Sequence, residues 1–220
     1  FIRNFNYRNN LICSANLINE CINHKTKIIF TSSMAVYGGQ QTPFTEDKQP
    51  QPIDPYGVAK YAVECDLKMA QEQFGLRYNI VRPHNVLGRY QNIWDRYRNV
   101  IGIFIRKTLN GEPILVYGDG EQTRAFSDIQ YYMEPFDILL TEHDGEIFNI
   151  GADKFFSLNQ VAETVQEIGK KYGYEVPIEH GHPRHEVKHA YCDHTKAKNL
   201  LKFQDNTRLE ELIEDVFVWA

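Results

Sequence analysis

The chain has 220 residues, a formal charge of −5 and a 42% hydrophobic, 13% aromatic composition, which suits a folded core and excludes a disordered chain. Its pI near 5.9 and mass of 25.7 kDa leave no basic excess for general nucleic-acid binding. No apolar run approaches the roughly 18 residues of a membrane span, and nothing at the start reads as a signal peptide.

From about Asn6 to Asn23, apolar residues at Leu11, Ala15, Ile18 and Ile22 recur with helical period. Residues 27–32 read as a buried strand ending on Ser32 and Ser33, and 33–55 as a loop carrying Pro43, Pro50, Pro52 and Pro55. A helix is predicted from Tyr56 to Phe74, closed by Gly75, then a parallel strand over 77–82. This alternation predicts a doubly wound sheet, with ligands beyond the carboxyl ends of its strands. The texture changes near Gly88. A short helix (101–109), a strand (114–117), a Gly118-Asp119-Gly120 turn and an extended piece (124–129) follow. Next come a helix to about Glu142, a strand (146–150) and a helix opened by a Ser157–Gln160 capping box. Thr207 and Glu210 predict a second capping box for the last helix.

Tyr56 and Lys60 lie four residues apart, one turn of one helix face. An ammonium there can hold a phenol's pKa down and make it a usable base, while Ser33 shares the proton in transit. In a chain with 13 tyrosines such a spacing alone is weak. The strand, the serine pair and the proline-rich loop ahead of it give it weight. Cys13, Cys21, Cys65 and Cys192 are scattered without a Cys-x-x-Cys pair, which points to reduced thiols in a cytoplasmic setting.

Four stretches carry a resemblance: residues 30–38 (FTSSMAVYG), 54–60 (DPYGVAK), 82–88 (RPHNVLG) and 116–124 (VYGDGEQTR). In this order they resemble the extended short-chain dehydrogenases, and among them the NAD-dependent nucleotide-sugar epimerases. The resemblance runs from about Asn9 to the C-terminus. It implies the C-terminal part of a Rossmann-like sheet (1–88) followed mostly by a small α/β nucleotide-sugar-binding lobe (89–220). It further implies epimerisation at C4 of a nucleotide hexose of the UDP-glucose or UDP-galactose type, with NAD as cofactor. A homodimer through helices around 8–23 and 56–74 is also implied.

Residue by residue, the resemblance makes Tyr56 the base, Ser33 its proton partner and Lys60 the group that lowers the phenol's pKa and holds the cofactor ribose. Ser32 and Pro83 border the cofactor. Asn85, Asn99 and Arg124 match diphosphate contacts, although Asn99 reads nearly as well as a simple helix cap. Val116 and Tyr117 match the strand whose backbone holds the uracil. Where relatives read Arg-Pro-Gly-Asp, this chain has His182-Pro183-Arg184-His185-Glu186. Glu186 would then take the ribose, while Arg184 sits one place off. Ala190 aligns with the residue that gates the sugar pocket, and its small side chain leaves room for an N-acetyl group.

Related dehydratases and decarboxylases place an acidic residue just after the serine. Met34 and Ala35 stand there instead and transfer no proton, which favours epimerisation. None of the 14 glycines builds the Gly-x-x-Gly-x-x-Gly turn that cradles a dinucleotide pyrophosphate. The sequence is therefore expected to represent part of an epimerase, inactive and aggregation-prone alone. A non-catalytic sugar-nucleotide binder and a dehydratase are the competing expectations. His180, His182, His185, His189, Cys192 and His194 raise a metal site, but no quartet has ligand spacing and none is expected.

Overall fold

The structure is a computed structural model that describes residues 2–95, 99–183 and 188–220. The chain opens with α1 (Ile2–Asn6), a π-helical stretch (Tyr7–Ile12) and α2 (Cys13–His24). The π stretch has a local cause. The Asn9 and Asn10 side chains donate to the carbonyls of Phe5 and Asn6, four residues back. They compete there with the α-helical ladder. Then come β1 (Ile28–Thr31), a 3-10 turn (Met34–Tyr37), α3 (Pro55–Phe74), β2 (Tyr78–Pro83), β3 (Val86–Leu87) and α4 (Val100–Leu109). They are followed by β4 (Ile114–Tyr117), β5 (Thr123–Ala125), β6 (Ser127–Asp128), α5 (Met133–Thr141), β7 (Glu146–Ile150) and β8 (Phe155–Ser157). Last are α6 (Leu158–Lys171), β9 (Ile178–Gly181), β10 (His189–Ala190), α7 (Thr195–Leu200) and α8 (Leu209–Trp219).

Two compact units result. The first holds residues 1–84, 131–151 and 192–204, the second 85–130, 152–191 and 205–220. The chain thus leaves the first unit after His84 and returns to it twice.

In the first unit β1, β2 and β7 form a parallel sheet in the order β1-β2-β7, with Phe30 opposite Ile80 and Ile80 opposite Ile147. Its core joins Ile18, Phe30, Val63, Leu67 and Ile80. Asp54 caps α3, its carboxylate accepting from Gly57 N–H at 2.7 Å, and Pro55 supplies the first residue. Gly75 ends α3 in the left-handed conformation. Lys27 reaches the carbonyls of Glu142 and His143 at 2.8 and 2.6 Å, neutralising the end of α5.

In the second unit α4, α6 and α8 enclose a core with Ile101, Phe104, Ile114, Val161, Val165 and Ile213. β4 pairs with β9, β3 with β6, and β5 lies between β10 and β8. The Ser157–Gln160 capping box forms with both of its hydrogen bonds. The second predicted box does not. α8 starts at Leu209, and the Thr207 hydroxyl accepts instead from the Asp128 N–H at 3.1 Å.

Candidate active site

In the first unit, Ser33 follows the end of β1 and Tyr56 stands in the first turn of α3. Ser33 Oγ accepts from the Ala35 N–H at 3.1 Å, which leaves its proton to give. The Ser33 hydroxyl lies close enough to the Tyr56 phenol to pull its pKa down. Lys60, one turn on, donates from Nζ to the Thr31 carbonyl at 2.8 Å, and its ammonium lies 5.7 Å from the Tyr56 ring centre. The three side chains expected to work together are therefore neighbours at the carboxyl end of a parallel strand. Pro83, closing β2 opposite Ile150, is half-buried. Met34 and Ala35 form the turn after Ser33 and bring no acid.

The electrostatics differ from expectation. Burial pushes the Tyr56 phenol above its usual 10, the Ser33 hydrogen bond pulls it down, and the Asp54 carboxylate adds a smaller upward push. Lys60 addresses the ring face and a backbone carbonyl, not the phenol oxygen, and burial lowers its own pKa. Lys60 is not among the causes that shift the phenol here. Ser32 also needs correcting. Only 2% exposed, it faces away from Ser33 and donates to Glu64 at 2.5 Å. Neighbouring residues of an extended segment point to opposite sides, so only one of the two hydroxyls reaches the open face.

In the second unit, Asn85 takes a left-handed conformation, φ 43°, and its side chain donates to the Ala125 carbonyl at 2.8 Å. Asn99 caps α4 by accepting from Gly102 N–H at 3.0 Å, the reading that competed at the sequence level. It also borders an open cleft of about 450 Å³ with Val86, Leu87, Arg89, Gln91 and Ile129. Val116 is a correction: it is buried in the core. The N–H groups of Ile114 and Gly118 donate toward β9, so by ladder alternation Val116 faces β9 and Tyr117 the opposite edge. Tyr117 accepts there from Gln122 at 2.9 Å. Arg124 donates to the carbonyls of Thr123 and Lys188, and in the β5–β10 pairing it stands directly opposite Ala190. Arg184 and Glu186 lie outside the described residues.

The histidines expected to raise a metal question separate. His180 bonds the Gly118 carbonyl, and His189 the Thr123 hydroxyl. His185 lies outside the described residues. Cys192 and His194 instead join His84, with donor atoms within 4.8 Å of one another. The Nε2 atoms of His84 and His194 meet at 2.8 Å, ring centres 5.0 Å apart and planes 13° apart. Rings so placed point at each other in one line, the geometry of an N–H···N hydrogen bond. A shared metal would need both nitrogens and the sulfur turned to one point.

Sequence reasoning missed a buried group behind the face: Glu64, Arg82, Tyr37 and Asn149. The signals were present. Glu64 continues the Tyr56–Lys60 row by another four residues, and Arg82 interrupts an otherwise buried strand.

Residues 3–151 match the NAD dependent epimerase/dehydratase family. The chain is 31% identical to a UDP-N-acetyl-alpha-D-glucosaminuronate decarboxylase of Bacillus cytotoxicus, over 93% of this chain and 66% of that protein. It is 30% identical to a UDP-glucose 4-epimerase of Halalkalibacterium halodurans, over 97% and 69%. A crystal structure of the Thermotoga maritima UDP-glucose 4-epimerase with UDP-glucose superposes with a TM-score of 0.85 at 32% identity, covering 96% of this chain and 68% of that one. The chain spans about two thirds of the length of the curated relatives it matches.

Proposed function

The chain belongs to the NAD dependent epimerase/dehydratase family, and on that premise we propose that it carries the catalytic face of a nucleotide-sugar 4-epimerase acting on UDP-hexoses of the glucose and galactose type. The observation that carries this reading is the gathering of Ser33, Tyr56 and Lys60 at the end of β1, with Met34 and Ala35 next to them. A base with a proton partner and no second acid suits reversible oxidation at one carbon. Expulsion of water from the sugar needs a further acid.

Tyr56 would take the proton of the 4-hydroxyl and return it, and Ser33 would bridge phenol and sugar oxygen. NAD, the family's cofactor, supplies reversible hydride transfer at C4 when bound. The residues present fit its nicotinamide half. Tyr56 and Lys60 stand beside the end of β1, and the Lys60 ammonium, placed at the Thr31 carbonyl, would hold the nicotinamide ribose. The glycine-rich turn for the other half is not in this sequence. In the second unit the open edge at Tyr117, and Arg124 beside Ala190, suit the nucleotide and the sugar. The small Ala190 is read as admitting N-acetylated sugars too.

A homodimer through α2 and α3 accords with exposed Leu17 and Met69 on those helices. A cytoplasmic setting accords with four free cysteines. Among the described residues no helix is long and apolar enough to cross a membrane.

The test is incubation with NAD and UDP-galactose of a protein that joins this chain to a glycine-rich NAD-binding turn, followed by separation of the sugar nucleotides. UDP-glucose as the product supports the reading. Carbon dioxide release from a UDP-uronate, or a 4-keto-6-deoxy product, would replace it with the decarboxylase or dehydratase chemistry of the wider family. Complete rejection of the N-acetylglucosamine-type substrate would remove the Ala190 reading.

A further inference from the structure

Behind the Ser33–Tyr56–Lys60 face lies a set of buried polar side chains that the proposed chemistry does not use. Glu64 is 4% exposed and Arg82 2%. The Glu64 carboxylate accepts from Ser32 Oγ at 2.5 Å and from Arg82 Nε and Nη2 at 3.0 and 2.6 Å. Arg82 Nη1 donates to the Tyr37 hydroxyl at 2.7 Å, and that hydroxyl donates to Asn149 Oδ1 at 2.8 Å.

Stability alone is a poor reason for such a set, because apolar side chains of similar volume often serve as well as a buried ion pair. Its placement is informative. Ser32 precedes Ser33 in the chain, Arg82 precedes Pro83 at the end of β2, and Glu64 extends the α3 row on which Tyr56 and Lys60 stand. One carboxylate therefore ties together the three elements that present the face.

We infer that Glu64 is a positioning residue: by gripping Ser32 from the buried side and Arg82 from the sheet, it fixes the Ser33 hydroxyl against the Tyr56 phenol. Glu64 is buried with its carboxylate engaged by Ser32 and Arg82, so it acts through these neighbours. The inference rests on the epimerase reading of this face, but its test requires no turnover.

A purely structural Glu64 would change how much chain is folded without changing how Tyr56 ionises. Tyrosine labelled with carbon-13 at Cζ gives each phenol its own titration. The Tyr56 signal is the one missing from Tyr56→Phe. In Glu64→Gln the Tyr56 midpoint should rise by about half a pH unit or more, because a hydrogen bond donated to the phenolate holds its pKa down. Ser33→Ala should produce a similar rise, and the double variant should go no further, since both act through one contact.

An unchanged midpoint in a folded Glu64→Gln, or rises that simply add, overturns the inference. Should Glu64→Gln fail to fold, Ser32→Ala removes a single hydroxyl and is judged by the same two outcomes. The two readings fail separately. A shift without epimerase turnover in the protein that includes the glycine-rich NAD-binding turn sinks the substrate assignment, and turnover without a shift sinks the role of Glu64.

Discussion

His84 and His194 are bound to each other through their Nε2 atoms at 2.8 Å, and Gly151 lies against that same contact. A Cβ at residue 151 would sit 1.9 Å from His84 Nε2. The ring is buried and engaged, so it cannot swing away cheaply. Gly151→Ala should cost about 1–3 kcal/mol, the usual range for overpacking. A urea midpoint equal to that of the parent would contradict the pairing.

Arg82→Met leaves the Glu64 carboxylate buried without its guanidinium. The expected loss is about 3–5 kcal/mol, as for other half-deleted buried pairs. Arg82→Met combined with Glu64→Leu should recover much of it, because no uncompensated charge remains. Denaturant melts of the three variants decide this, and a double variant weaker than Arg82→Met alone would refute it.

Glu46 gives a pH dependence with a definite sign. Burial raises its pKa above 4.5, outweighing the Asn149 N–H that it accepts at 2.8 Å. Its neutral form is thus favoured by folding. The corresponding stability is complete below the unfolded pKa of about 4.5 and declines as pH climbs through the raised folded value. Glu46→Gln keeps the acceptor and removes the ionisation. Its melting temperature relative to the parent should rise from acid to neutral pH; a constant or shrinking difference would exclude the argument.

Turnover should depend on Tyr56 through the rate constant and not through binding. For the epimerase described under the proposed function, Tyr56→Phe is expected to lower kcat by about 10²–10⁴-fold, the usual contribution of a general base. KM should stay within a few fold, and Ser33→Ala should cost less. A Tyr56→Phe enzyme that keeps its kcat and loses only affinity would reassign the phenol to binding.

Much of this was readable from the chain. β4 and β7 match their predicted strands to the residue, because short apolar runs between turn residues leave few alternatives. The Tyr56–Lys60 spacing survives because a helix fixes what lies one turn apart. Other features depended on distant partners. Thr207 has a capping sequence, yet its hydroxyl goes to Asp128, 79 residues away. Ser32 and Ser33 are chemically identical, and only the sheet decides which one faces the core. β8, β9 and α7 passed unnoticed as elements, since each is short and lacks the continuous apolar run that marks β4.

The capping of α3 has a further consequence. Asp54 starts the helix and so places Tyr56 at the positive end of its peptide dipoles, where a phenolate is welcome. The same carboxylate repels that phenolate. A single side chain thus erects the scaffold of the base and blunts its acidity. Asn at residue 54 caps about as well without charge, so Asp54→Asn should separate these two duties: the Tyr56 carbon-13 signal should titrate at lower pH while the helix start stays intact.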